Sequence, residues 1–122
     1  MKGLLWRSDG PFLLESGEIL PELTVYYQTF GELNSEKNNV IWVTHALTGN
    51  ADASDWWAGL VGPGKCFDLE KYFIVCANNL GSCYGSSGPL DINPLTGSPY
   101  YSDFPLITIK DQVQAHKCLA KA

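Results

Sequence analysis

The sequence predicts an α/β fold in which a leading antiparallel pair of strands is followed by parallel strands and helices. Two apolar runs, "VIWVTH" and "YFIVCANN", have no polar face, which is typical of sheet strands covered on both sides. Two alternating strand-like runs precede them, and a helical pattern follows. The order of these segments favours a mixed sheet with crossover connections. The 122 residues fit one domain, 1–122.

The first two strand predictions come from residues 12–20 and 23–31. The runs "FLLESGEIL" and "LTVYYQTFG" are separated by a connection that contains Pro21, and we expect them to pair with each other antiparallel. After the polar turn "GELNSEKNN", the run "VIWVTH" provides the third strand and "YFIVCANN" the fourth. Because the third and fourth runs are apolar at nearly every position, we expect both strands to be covered on their two faces.

The connections carry many glycines and prolines. Residues 47–71 contain short helical possibilities that these residues interrupt. Residues 80–105 form a predicted loop of 26 residues, a length that is unusual in a compact domain unless the loop is functional.

The last segment, residues 108–122, predicts a helix. Thr108 and Asp111 match the capping-box pattern at its start. Ile109, Val113, His116 and Ala120 share one stripe of this helix, and we expect that stripe to face the core.

Composition limits the classes of function. The net charge is −5 and no basic run occurs, which argues against nucleic acid and anionic lipid as partners. No apolar stretch approaches the length of a membrane span, and the start of the chain does not resemble a secretory signal. The four cysteines show no metal-ligand spacing, so we predict no metal site. Because the start of the chain does not resemble an export signal, we predict reduced thiols and a cytoplasmic protein. Cys76 and Cys118 are expected to be small core residues.

Two candidate motifs lack residues that their proposed chemistry requires. The run "GLVGPGKC", residues 59–66, nearly matches a phosphate-binding loop, but no strand feeds it and Cys66 replaces the hydroxyl that would bind Mg²⁺. The serine pair Ser86–Ser87 lacks one flanking glycine at each position, so it is no nucleophile elbow. Asp52 and Asp55 are interpreted as solvated loop acids.

The turn "HALTGN", residues 45–50, directly follows the third predicted strand. Small and flexible residues at that position allow a main-chain N–H to point at a developing negative charge. An ordinary turn has the same composition, so the motif alone does not separate the two interpretations.

Taken together, several runs resemble one family, the homoserine O-acyltransferases of methionine biosynthesis, which belong to the α/β-hydrolase superfamily. The resemblance extends over nearly all of the chain from about Gly17 onward. The matching runs, in chain order, are "VYYQTFGELN", "VTHALTGNADA", "WWAGLVGPGKCFD", "YFIVCANNLGSCYGSSGP", "INPLTGSPYYSDFP" and "TIKDQV".

The resemblance implies a double displacement in which an acyl group passes from acyl-CoA to an enzyme serine and then to the homoserine hydroxyl. It implies that the main-chain N–H of Leu47 is an oxyanion-hole donor, with His45, Thr48 and Gly49 shaping its turn. Homoserine and acyl-CoA are the expected partners of the complete enzyme, and no bound cofactor is expected. Acetyl-CoA and succinyl-CoA both remain open as donors, and serine remains open as a related acceptor.

The chain departs from the family pattern at the nucleophile elbow, which is absent. We therefore expect an N-terminal portion of the α/β-hydrolase fold that contains no nucleophile, acid or base and is inactive alone. Without the next strand, "VIWVTH" is expected to be an apolar sheet edge that promotes self-association, as a homodimer or as aggregates. The alternative is a stand-alone, non-catalytic relic that binds a partner through this edge.

Overall fold

The computed structural model describes residues 3–122. The elements along the chain are strands β1 to β6, a four-residue helix α1, a short 3₁₀ helix and the long helix α2. Their bounds are β1 Leu4–Arg7, β2 Phe12–Leu13, β3 Ile19–Leu20, β4 Thr24–Phe30, β5 Val40–Thr44, α1 Ala53–Trp56, β6 Phe73–Ala77, the 3₁₀ helix Tyr101–Asp103 and α2 Ile109–Lys121.

Four of the strands form one mixed sheet in the order β1-β4-β6-β5. β4 is antiparallel to β6, and β5 is parallel to β6, with Val43 opposite Cys76. The predicted change from antiparallel to parallel pairing is confirmed. β5 lies at the end of this sheet, which is where the sequence placed the "VIWVTH" run.

The predicted pairing of residues 12–20 with residues 23–31 is wrong. The first run folds on itself: β2 and β3 form a separate two-stranded antiparallel sheet, closed by a turn at Gly17, whose φ is +91°. Glycine adopts this conformation readily, so the Ser16–Gly17 turn separates two short strands within what reads as one run. The partner of β4 on this side is β1, a strand that the sequence pattern did not predict.

The structure divides into two compact units. One is built mainly from Tyr27–Ala77, and the other from Leu5–Tyr26 and Asn78–Ala122. In the first unit, β5 and β6 meet α1 in an apolar core around Val43, Ala53, Ile74 and Cys76. Cys76 is fully buried, as predicted.

Helix α2 belongs to the second unit and begins as predicted. The Thr108 hydroxyl accepts a hydrogen bond from the Asp111 N–H, and the Asp111 carboxylate accepts one from the Thr108 N–H. The predicted core stripe is wrong, however: Ile109 and Val113 are 79% and 48% exposed.

The buried residues of α2 are Asp111, Ala115 and Leu119, which are spaced by four. Ala120 is exposed and His116 is half-buried. Cys118 is also exposed, so its predicted core position is wrong. A polar residue, Asp111, occupies the first buried position of the helix, and apolar periodicity alone therefore selected a neighbouring face.

Candidate active site

The candidate site begins at the carboxyl end of β5. Thr44 is the last residue of this strand and pairs with Ala77 of β6. Because the two strands are parallel, their carboxyl ends lie at the same edge of the sheet, and α/β proteins bind ligands beyond this edge. His45 follows immediately and is buried, 8% exposed.

A tight turn spans residues 46–49. The Gly49 N–H donates to the Ala46 carbonyl at 2.8 Å, and the His45 Nδ1–H donates to the same carbonyl at 2.7 Å. Two donors on one oxygen hold the turn in place. Neither Leu47 nor Thr48 has a positive φ, which is typical of a type I turn.

Glycine at position 49 accommodates a close approach of the backbone. A Cβ atom there would lie 3.1 Å from both the Ala46 carbonyl oxygen and the His45 Cβ. Those contacts are tighter than ordinary van der Waals separations, so the neighbouring atoms would have to shift by a few tenths of an ångström to admit a side chain. Gly49 and His45 thus shape the path of the chain around Leu47.

Leu47 is the second residue of the turn, and its side chain is 99% exposed. Within residues 3–122, no atom accepts a hydrogen bond from its main-chain N–H. Thr48 is exposed as well. The turn presents an unpaired backbone donor beyond the carboxyl end of a parallel strand.

The residues after the turn form a support that sequence reasoning missed. Asn50 accepts hydrogen bonds from the Trp56 indole N–H at its carbonyl (3.0 Å) and from the Asp52 N–H at its side chain (2.9 Å). Asp52 is the N-cap of α1 and accepts from the Ser54 hydroxyl and the Asp55 N–H. Asp52 is therefore a helix cap, a role that its position before a helical run could have indicated; Asp55 is exposed, as predicted.

The run that resembles a phosphate-binding loop has a structural role. Lys65 donates its ammonium group to the Ala58 carbonyl at 2.5 Å, so the lysine is not directed at a phosphate. The Asp68 carboxylate accepts from the Gly64 and Glu70 N–H groups, and these bonds are the main reason why its pKa lies below the usual value. In the described chain the next element after this loop is strand β6 and not a helix, in agreement with the interpretation as a turn.

Ser86 and Ser87 are buried and bound to the backbone. The Ser86 hydroxyl donates to the Asn78 carbonyl at 2.7 Å and accepts from the Tyr26 N–H. The Ser87 hydroxyl accepts from the Thr24 N–H at 2.8 Å. Both hydroxyls hold the loop against β4, which supports the interpretation that neither is a nucleophile.

Two further properties of residues 3–122 bear on the kind of site. No group of three or more histidine, cysteine, aspartate or glutamate side chains lies in an arrangement that could hold a metal ion. In the same residues, no helix is long and apolar enough to cross a membrane.

Comparison with known proteins gives a consistent result. The chain is 56% identical over 117 residues to a homoserine O-acetyltransferase from Chlorobaculum parvum, covering 96% of this chain and 33% of that protein. It is 60% identical over 102 residues to the homoserine O-acetyltransferase of Cyclobacterium marinum, covering 84% of this chain and 29% of that protein. The chain thus spans about a third of the length of the curated relatives. No protein-family model matches it.

Solved structures show the same architecture. A homoserine O-acetyltransferase from Bacillus anthracis superposes with a TM-score of 0.87 at 31% identity, covering 99% of this chain and 37% of that one. Esterase E22 superposes with a TM-score of 0.86 at 30% identity, covering 98% and 36%. The solved acetyltransferase and the esterase are thus about equally similar to this chain in fold and in sequence. The acetyltransferases from Chlorobaculum parvum and Cyclobacterium marinum have much higher sequence identity to it, 56% and 60%. The resemblance inferred from the sequence is confirmed: the chain corresponds to an N-terminal portion of the homoserine O-acetyltransferase family, with the α/β-hydrolase fold.

Proposed function

We propose that this chain is the part of a homoserine O-acetyltransferase that supplies one oxyanion-hole donor, the main-chain N–H of Leu47. The observation that carries the proposal is the unpaired N–H in a tight turn beyond β5, in a chain 50–60% identical to enzymes of that name. In acyl transfer, a tetrahedral intermediate places a negative charge on the former carbonyl oxygen, and a preorganised backbone N–H stabilises it.

The reaction that we propose moves an acetyl group from acetyl-CoA to the hydroxyl of homoserine through an acyl-enzyme. Residues 1–122 contribute no nucleophile, base or acid to it, because Ser86 and Ser87 are bound to the backbone and the sequence has no nucleophile elbow. The catalytic side chains come from outside this segment. Free cysteines support a cytoplasmic reaction, and the acidic charge is consistent with partners other than nucleic acid.

The experiment joins this chain to the remaining two thirds of the Chlorobaculum parvum relative, in place of the matching third. Release of the CoA thiol with acetyl-CoA and homoserine measures the transfer, and succinyl-CoA and serine test the alternative donor and acceptor. The isolated 122-residue chain is expected to give no turnover above background. Transfer by the isolated chain, or a folded chimera that does not consume acetyl-CoA, would contradict the proposal.

Two substitutions at one position separate the N–H from the side chain. Leu47→Pro removes the donor at a turn position that proline prefers, whereas Leu47→Ala keeps it. Loss of one oxyanion donor lowers kcat by about 10²–10³-fold in enzymes that use this device. We expect a loss of that size in the proline chimera and nearly full activity in the alanine chimera. Equal activity in the two, with equal thermal stability, would remove Leu47 from the oxyanion hole.

The position of β5 favours the second candidate, a non-catalytic chain that associates through its sheet edge. β5 is the terminal strand of its sheet, and Val40 is 43% exposed. An open strand edge with apolar side chains is prone to pair with another chain. Size-exclusion chromatography of the isolated chain tests this: self-association that Val40→Lys abolishes, and that Leu95→Lys in the other unit leaves unchanged, supports pairing through β5.

A further inference from the structure

A cavity of about 300 Å³ lies within the unit formed by Leu5–Tyr26 and Asn78–Ala122. Its walls combine charged groups with apolar side chains, and Leu47 and its turn are not among them. The lining residues that matter for its chemistry are Arg7, Leu20, Glu22, Asp91, Ile92 and Tyr100. A volume of this size is at the lower end of small-molecule pockets.

Tyr100 is a largely buried residue in the wall of the cavity. It is 9% exposed, its N–H donates to the Asp91 carbonyl at 3.0 Å, and its ring packs edge-on against Phe104. Within residues 3–122, its phenolic hydroxyl has no hydrogen-bond partner. The hydroxyl oxygen is not fully enclosed, so on a side chain that lines the cavity it is open to a ligand.

The charges of the cavity leave one carboxylate without a counterion. Arg7 binds Glu22 at 2.9 Å, which neutralises that pair. Asp91 accepts the Gly88 N–H through Oδ2, but no lysine, arginine or histidine of the described chain lies within ion-pair distance of it. The local net charge is therefore −1, which favours a cation and disfavours an anion.

The two carboxylates affect the pKa of Tyr100. Its pKa is raised, first by burial and then by Asp91 and Glu22. Both carboxylates belong to residues that line the same cavity as Tyr100. The hydroxyl therefore stays protonated at neutral pH and offers one donor and two acceptor sites beside the Asp91 carboxylate.

We propose that this cavity binds a small organic monocation, a primary alkylammonium, with its charged group between Asp91 and the Tyr100 hydroxyl. Its aliphatic part packs on Leu20 and Ile92. The ammonium group has three donors and no acceptor, which matches a carboxylate and a phenolic oxygen on one wall. This site belongs to a single unit and does not depend on the proposed acetyl transfer.

The test is a titration of the ¹⁵N-labelled 122-residue chain with n-butylammonium chloride, followed by amide chemical shifts. Butan-1-ol and butyrate are probes of similar length with neutral and negative ends. We expect the amides of Asp91, Ile92 and Tyr100 to shift, with butylammonium bound at least about tenfold more tightly than butan-1-ol because a charge-assisted hydrogen bond is added. Shifts confined to other residues, or equal binding of the three probes, would overturn the proposal.

Matched variants assign the contacts. Asp91→Asn keeps an acceptor for the Gly88 N–H and removes the charge, so binding should fall about tenfold or more. Tyr100→Phe keeps the ring and removes the hydroxyl, with an expected loss of about fivefold. Asp103→Asn changes an exposed carboxylate that does not line the cavity, and it should leave binding unchanged.

If the isolated chain self-associates and cannot be titrated, a second measurement uses the chimera. In the acetyltransferase chimera, butylammonium should raise the Tm, and Asp91→Asn should abolish the rise. A rise that persists in Asp91→Asn, or none in the parent chimera, overturns the proposal. Because acetyl transfer is assayed separately, failure of this site and failure of the proposed function are distinguished.

Discussion

Asp111 links helix α2 to the β2–β3 hairpin, and its removal should destabilise this unit. One carboxylate oxygen accepts the Glu15 N–H at 2.8 Å, and the other accepts the Thr108 N–H at 2.9 Å. Asp111 itself is only 3% exposed. A carboxylate in this position therefore joins residues 96 apart in the sequence while it caps a helix.

The magnitude follows from the two bonds. Hydrogen bonds to a charged group contribute about 1.5–3 kcal/mol each. Glu15 is exposed, so water replaces Asp111 on that amide and reduces the loss there. We expect Asp111→Ala to lower the free energy of unfolding by about 2–4 kcal/mol. Asp111→Asn keeps one acceptor and should cost about half as much.

Urea unfolding at pH 7, followed by circular dichroism at 222 nm, measures the loss. Asp103→Ala is the matched control, because Asp103 is exposed and makes no side-chain hydrogen bond within the described residues; a change below about 0.5 kcal/mol is expected. If Asp111→Ala were no more destabilising than Asp103→Ala, the carboxylate would not hold the hairpin to the helix.

The same residue predicts a pH dependence. Burial raises the pKa of Asp111, but hydrogen bonds from the Thr108 and Glu15 N–H groups outweigh burial and leave it below the usual value of 3.8. A lowered folded-state pKa means that the ionised carboxylate contributes its stability fully above the unfolded pKa and loses it as pH falls through the folded pKa. The difference between wild type and Asp111→Ala should therefore persist at pH 5–7 and shrink below about pH 4. A difference that does not vary with pH would contradict this account.

Two further predictions concern other parts of the chain. Gly31 has a φ of +80°, and an added Cβ would clash with the Tyr72 carbonyl oxygen, whereas Gly17 has a φ of +91° with open space around it. Gly31→Ala should therefore cost more than Gly17→Ala in urea unfolding, by about 1 kcal/mol or more, and equal costs would argue against the clash. Burial, followed by the charge of Asp52, raises the pKa of Cys76 to about 12, so this thiol should resist iodoacetamide at pH 8 in the folded chain. Mass spectrometry should find alkylation at the three exposed cysteines, Cys66, Cys83 and Cys118. Rapid modification of Cys76 would contradict the prediction and show that the core opens.

Local patterns predicted the elements that depend on local interactions. The apolar runs identify β5 and β6 as strands, but only β6 is covered on both faces; in β5 only Val43 is buried. The capping box at Thr108 identifies the start of α2 because its hydrogen bonds join residues three apart. The turn at Leu47 was also visible, since glycine and small residues after a strand permit a tight turn.

The errors concern partners that are distant in the chain. The Ser16–Gly17 pair is a local turn signal within residues 12–20, but nothing local shows that β1 takes the place beside β4, since pairing depends on which edges are available. Likewise, the buried face of α2 begins with Asp111, because the Glu15 N–H, 96 residues away, makes a buried carboxylate favourable there.

By itself, the sequence determined the family resemblance, the parallel pair of strands, the capped helix and the position of the candidate oxyanion turn. Only the tertiary structure decided that the Leu47 N–H has no acceptor within residues 3–122, that Ser86 and Ser87 bind the backbone, and that Tyr100 and Asp91 line one cavity. The physical reason is that periodicity and spacing report interactions between near neighbours. Whether a polar group is satisfied depends on atoms that folding brings together from distant parts of the chain.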